Sequence, residues 1–268
     1  MDNRPIGVFD SGVGGLTVVK EIMRQLPFED IIYFGDTARV PYGTRSRETV
    51  IKFTLQSVRF LLKQNIKAII LACNTASAIS LDAVCAQFDI PVFGVIQGGS
   101  RAAVQTSKNR RIGVIGTEAT INSGAYERAI KSLNESMEIF SIPCPLFVPI
   151  VEECLQDSDI AYLAARHYLS FFDDKKIDTL LLGCTHYPLM SDTIKKAVGK
   201  QVCLINPAEE TAYIVKEKLQ AFNMLRENNT LPKYRYFASD DGEKFKKIGS
   251  NFLNCNISCA SKVDIERY

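Results

Sequence analysis

No charge of either sign dominates this chain. Its 268 residues carry 32 Lys and Arg against 30 Asp and Glu, a net charge of +2. Nothing in that balance calls for nucleic acid or an anionic membrane as a partner. No apolar run approaches bilayer-spanning length, and Met1-Asp2-Asn3-Arg4-Pro5 holds no signal-peptide core. The cytoplasm is therefore the expected compartment. There the eight cysteines are expected as thiols and not as a disulfide framework. No linker rich in Gly, Ser or Pro divides the chain, so any lobes are expected to pack intimately. Histidine is scarce, with only His167 and His186. Cys255 and Cys259 have no matching Cys or His pair nearby, so no zinc site is expected there. Cys85, Cys144, Cys154 and Cys203 lie among apolar or helical neighbours and read as small core residues.

What is present is an ordinary globular composition, 46% hydrophobic and 23% charged, on a length that fits one large or two smaller domains. Apolar strand runs alternate with helical spacing. Strands are expected at 6–9, 31–34, 68–71 and 91–95, with helices at 16–26, 48–63 and 75–87 between them. The pattern then restarts. Strands are expected at 111–116, 138–141, 179–182 and 202–205, with helices at about 119–133, 150–155 and 159–172. A helix (209–222), a polar stretch (226–230), a strand (234–238) and a last helix from about Gly242 close the chain. Continuous apolar strands with helical crossovers imply an α/β fold with parallel sheets covered on both faces. The restart implies two similar doubly wound lobes, 1–95 with 208–268 and 96–207, and a ligand cleft between them at the carboxyl ends of the strands.

Two of the strand runs end in cysteine. One reads Ala68-Ile69-Ile70-Leu71-Ala72-Cys73-Asn74-Thr75, the other Thr179-Leu180-Leu181-Leu182-Gly183-Cys184-Thr185-His186. Either thiol alone reads more readily as a buried, inert core residue. Two copies of strand, Cys, hydroxyl or amide and helix are hard to ascribe to packing. A helix N-terminus would stabilise a thiolate at each. Opposed thiols suit chemistry that removes and adds a proton on the two faces of one carbon. Asp10 and His186 are candidate partners, and Asn74, Thr75 and Thr185 are candidate donors to a carboxylate.

Other segments at strand ends leave two readings open. Phe9-Asp10-Ser11-Gly12-Val13-Gly14-Gly15 is either an anion cradle or a plain turn with an Asp cap. It is no dinucleotide fingerprint, because Thr17 stands where the last glycine is needed. Gly35-Asp36-Thr37-Ala38-Arg39-Val40-Pro41-Tyr42-Gly43 is a structural turn or a loop that closes over a ligand. Thr117 and Thr120 follow another strand. Glu152 reads as a surface carboxylate or as a partner for His186. His167 lacks any such context.

With these residues in hand, the chain resembles the bacterial glutamate racemases, from Gly7 to about Thr211. The likeness is carried by Phe9-Asp10-Ser11-Gly12-Val13-Gly14-Gly15-Leu16, Gly35-Asp36-Thr37, Pro41-Tyr42-Gly43, Ala72-Cys73-Asn74-Thr75-Ala76-Ser77 and Gly183-Cys184-Thr185-His186-Tyr187-Pro188. The resemblance implies cofactor-independent, metal-free interconversion of L- and D-glutamate. Cys184 would deprotonate L-glutamate and Cys73 D-glutamate. It carries over Asp10 and His186 as supporting catalytic residues, and Ser11, Tyr42, Gly43, Asn74, Thr75 and Thr185 as binding residues. Thr117, Thr120 and Glu152 follow less directly. It also implies a homodimer that supplies D-glutamate for peptidoglycan. The chain departs from the family pattern at Gly98, at Pro207 in Asn206-Pro207-Ala208, and at Asp240 in Ser239-Asp240-Asp241. These bear on packing between lobes more than on chemistry. Rival readings are an aspartate or other racemase of the superfamily, a non-catalytic dicarboxylate-binding protein, and a redox or metal-binding cysteine protein.

Overall fold

Apolar runs without a polar alternation become strands buried on both faces, and that rule builds the centre of this molecule. The computed structural model describes residues 1–227 and 230–268. The chain begins β1 (Ile6–Asp10), α1 (Leu16–Gln25), β2 (Ile31–Gly35), α2 (Arg47–Leu62), β3 (Ala68–Leu71), α3 (Asn74–Gln87), β4 (Val92–Gly94) and α4 (Val95–Thr106). It continues β5 (Arg111–Gly116), α5 (Glu118–Asn122), α6 (Ala125–Leu133), β6 (Glu138–Pro143), α7 (Phe147–Glu152), α8 (Asp159–Leu169), β7 (Thr179–Gly183), α9 (Ser191–Val198) and β8 (Cys203–Ile205). It ends α10 (Pro207–Ala221), β9 (Tyr234–Ala238), α11 (Gly242–Leu253) and β10 (Ser261–Lys262). Of the expected polar stretch 226–230, Asn228 and Asn229 lie outside the described residues. No helix among the described residues is long and apolar enough to cross a membrane.

Two parallel sheets result. The first has the order β10-β9-β2-β1-β3-β4 and the second β6-β5-β7-β8. The last four strands in the order of the first sheet, β2-β1-β3-β4, repeat the winding of the second. Cys73 and Cys184 thus follow equivalent strands, β3 and β7.

Several elements differ from the sequence expectation, each for a local reason. Val95 begins α4 and does not extend the preceding strand. Gly98 and Gly99 hide this helix, because glycine is a poor helix former. They are there because α10 crosses α4 closely. A Cβ at Gly98 would lie 2.6 Å from Thr211 Oγ1 and 2.8 Å from Thr211 N. At Gly99 it would lie 3.0 Å from Pro207 Cγ. Gly98 and Pro207, two of the departures from the family pattern, therefore belong to one helix–helix contact. Gly98→Ala is expected to destabilise by about 1–3 kcal/mol, since backbone must move to admit the methyl. Thermal unfolding of the variant reads this directly, and an unchanged Tm would refute it.

The expected helix 119–133 is two helices, split at Gly124 with φ of +64°, a conformation glycine adopts without strain. Of the four cysteines read as core, only Cys144 is buried. Cys85 lies on the outward side of α3, Cys203 opens β8, and Cys154 sits in a left-handed turn after α7 with φ of +57°.

Candidate active site

Strand register sets the two thiols. β1 and β3 pair from Ile6↔Ala68 to Phe9↔Leu71, so the residues after both strands emerge side by side. Cys73 is the N-cap residue of α3, and its thiol donates to Ser11 Oγ at 3.4 Å. β5 and β7 pair through Gly116↔Gly183, which brings Thr117 and Cys184 to one level.

The expected helix does not follow Cys184. A 3-10 turn, Tyr187–Met190, intervenes before α9. Pro188 causes this. It has no N–H to reach the Cys184 carbonyl, so Tyr187 N donates there instead, at 3.2 Å. Of the two thiols only Cys73 thus stands at a helix N-terminus, where burial outweighs the stabilisation of a thiolate, and Cys184 has a different neighbour. His186 Nδ1 lies 3.9 Å from Cys184 Sγ, while His186 Nε2 lies 3.1 Å from Glu152 Oε1. Phe252 of α11 meets the imidazole edge-on, with ring centroids 5.5 Å apart. Sulfur, imidazole and carboxylate form a chain for passing or holding a proton.

The electrostatics of the two sides differ. Burial, with Asp10 close by, pushes the Cys73 thiol up to about 12, against a smaller opposing effect of Ser11. Burial opposes charge on His186, but Cys184 and Glu152 outweigh it and raise the imidazole to about 10. The hydrogen bond from His186 holds the Glu152 carboxyl below its ordinary value. At neutral pH one side of the site carries a protonated thiol and the other an imidazolium beside a sulfur.

Both thiols line one cavity of about 250 Å³. Ser11, Tyr42, Gly43, Asn74, Thr75, Thr117, Glu152, Thr185 and His186 line it too. Val40, Pro41, Val148 and Pro149 add apolar wall. Thr120 stands behind the lining. The hydroxyls of Thr75, Thr117 and Thr120 lie 2.9–3.1 Å from one another and join α3 to the start of α5. Asp10 is fully buried beneath the surface of the cavity, where its Oδ2 accepts from Gly12 N at 3.0 Å. Burial raises its carboxyl, and His186 opposes that rise. His167 is exposed on α8, away from this site.

Tyr42 owes its position to a network centred on Asp36, a residue of its own loop. Its hydroxyl donates to Asp36 Oδ2 at 2.5 Å. The buried Asp36 also accepts from Arg39 Nε at 2.7 Å and from Ser239 Oγ at 2.8 Å. A carboxylate with three donors fixes the loop that forms one wall of the cavity. The neighbouring motif Gly35-Asp36-Thr37 was visible, but its partner Ser239 lies 203 residues away in sequence.

Residues 6–213 match the family described as Asp/Glu/Hydantoin racemase. The chain belongs to that family. It is 49% identical over 263 residues to the glutamate racemase of Geobacter metallireducens, covering 98% of this chain and 97% of that one. Its structure is similar to that of the Francisella tularensis glutamate racemase in complex with D-glutamate, with a TM-score of 0.94, 45% identity and full coverage of both chains. The glutamate racemase isoform RacE1 of Bacillus anthracis has a TM-score of 0.95 and 44% identity, covering 98% of each chain. As a member of the Asp/Glu/Hydantoin racemase family the chain is an isomerase. The family match ends at residue 213, before Ser239 and Phe252, so in this racemase the C-terminal segment supports site residues from outside the matched span.

Proposed function

We propose that this racemase interconverts L- and D-glutamate by proton transfer between two thiols, without a cofactor. The observation that carries this reading is that Cys73 and Cys184, on equivalent strands of two sheets, line one small cavity. The glutamate named for its relatives, and the D-glutamate bound by one of them, favour the substrate. As thiolate, Cys184 takes the Cα proton of L-glutamate while Cys73 delivers its proton to the opposite face. The reverse direction exchanges the roles. The high pKa of Cys73 makes it the proton donor at neutral pH, which is the form that accepts L-glutamate.

A thiolate is a weak base for a Cα–H, so the carbanion needs stabilisation. The hydroxyl and amide donors from Ser11, Asn74, Thr75 and Thr185 around an acceptor-only carboxylate supply it, with apolar walls that limit water. Lobes 1–95 with 208–268 and 96–207 would then close on the amino acid from either side. Family likeness further favours a cytoplasmic homodimer that provides D-glutamate for peptidoglycan.

The test is L-glutamate in deuterium oxide with the protein and no added cofactor. Optical activity should decay to zero and deuterium should enter Cα. Binding without exchange would instead support a dicarboxylate-binding protein. L-aspartate, one methylene shorter, should turn over about 10–200-fold less efficiently. Preferred turnover of aspartate would move the substrate assignment to that amino acid.

A further inference from the structure

Tyr126 lies outside every motif of the sequence, yet it touches the turn that bears each thiol. It sits on α6 and is 3% exposed. Its ring fills the space left by two glycines. A Cβ on Gly99 of α4 would lie 3.2 Å from ring Cε1, and one on Gly183 would lie 3.0 Å from Cε2. Gly183 immediately precedes Cys184. The Tyr126 hydroxyl donates to Asn74 Oδ1 at 2.5 Å, and Asn74 immediately follows Cys73. Burial, with Cys184 nearby, keeps the phenol neutral and able to donate.

We propose that Tyr126 is a positioning residue that turns the Asn74 amide so that its N–H groups face the ligand cavity. This rests on the reading of Asn74 as a donor to substrate. An asparagine amide has one acceptor oxygen and one doubly donating nitrogen. With the oxygen held by Tyr126, only the N–H groups remain for the cavity that Asn74 lines. A substrate carboxylate only accepts, so this orientation is the useful one. The bond also ties α6, which follows the second sheet's first strand, to the first thiol's turn.

Tyr126→Phe keeps the ring between the glycines and removes only the hydroxyl. KM for both enantiomers should rise about tenfold, with a smaller change in kcat and little change in Tm. Combined with Asn74→Ala it should add no further loss, because the hydroxyl acts through Asn74. Wild-type racemisation measured alongside separates the two ideas: no wild-type turnover defeats the glutamate reading itself. Normal wild-type turnover with a Tyr126→Phe KM within twofold of it, or full additivity with Asn74→Ala, overturns the positioning role. Asn74→Asp covers the case of a misfolded Tyr126 variant. It keeps an acceptor for Tyr126 but offers no N–H, so its KM should rise at least as far as in Asn74→Ala. An unchanged KM in Asn74→Asp overturns the proposal.

Discussion

Replacement of Cys73 or Cys184 by alanine is expected to stop racemisation from either enantiomer, with kcat/KM reduced on the order of 10⁴-fold or more. Each thiol is needed in both directions, once as the base and once as the acid. Loss of either leaves a carbanion with no donor on one face, or a substrate with no base on the other. L- and D-glutamate have equal free energy in water, so the two directions must lose kcat/KM by the same factor. Unequal factors would reveal a contaminating activity and not a property of the site. A 10⁴-fold loss corresponds to about 5.5 kcal/mol of transition-state stabilisation, far more than one lost contact supplies. Polarimetry from each pure enantiomer measures it. Retention of more than a few per cent of activity by both single variants would sink the two-thiol scheme. Cys144 is the internal control, since it is buried, lies outside the cavity lining and has no assigned part in the chemistry.

The strands were the most legible part of this molecule, because a strand buried on both faces must be written in continuous apolar residues. Ile6–Asp10, Ile31–Gly35, Ala68–Leu71 and Thr179–Gly183 are buried throughout, and apart from the terminal Asp10 and Thr179 each is such a run. The helix α4 was illegible for the opposite reason. Gly98 and Gly99 answer to α10 and not to their own helix, so local propensity points the wrong way. The turn after Cys184 departs from the helix that its likeness to the Cys73 segment implies, because Pro188 rules out the α-helical bond to the Cys184 carbonyl.

At the site, residues adjacent to the strand ends could be collected from sequence, and the fold brings most of them to one cavity. Glu152 could be offered only as one of two readings; its place is set by tertiary packing of α7, 34 residues from His186. Tyr126 reaches Asn74 across 52 residues from α6 and carries no motif of its own. Positioning residues of this kind act through one contact, and nothing in their local sequence marks that contact.

The second large effect concerns the proton chain behind Cys184. His186→Asn should lower kcat/KM about 10²–10³-fold, because asparagine fills similar space but cannot carry a proton to or from the sulfur. The pH dependence distinguishes this from a packing defect. The imidazole is raised from its ordinary 6.5 to about 10 in the folded protein. A raised pKa means the charged form is favoured by folding. That stabilisation is fully present below pH 6.5 and is lost as pH rises through 10. The Tm difference between wild type and His186→Asn should therefore be largest at or below pH 6.5 and shrink towards pH 10. Cys73, at about 12, makes its own loss only above the ordinary thiol range, so the interval from 6.5 to 9 reports on His186. Glu152→Gln keeps the size of the partner but removes its charge. The imidazole should then titrate lower, and the alkaline limb of kcat/KM should move down in pH with it. If the limb stays in place in Glu152→Gln, the carboxylate does not set the charge on His186. The group that holds the imidazole charged must then be sought elsewhere in the wall of the cavity.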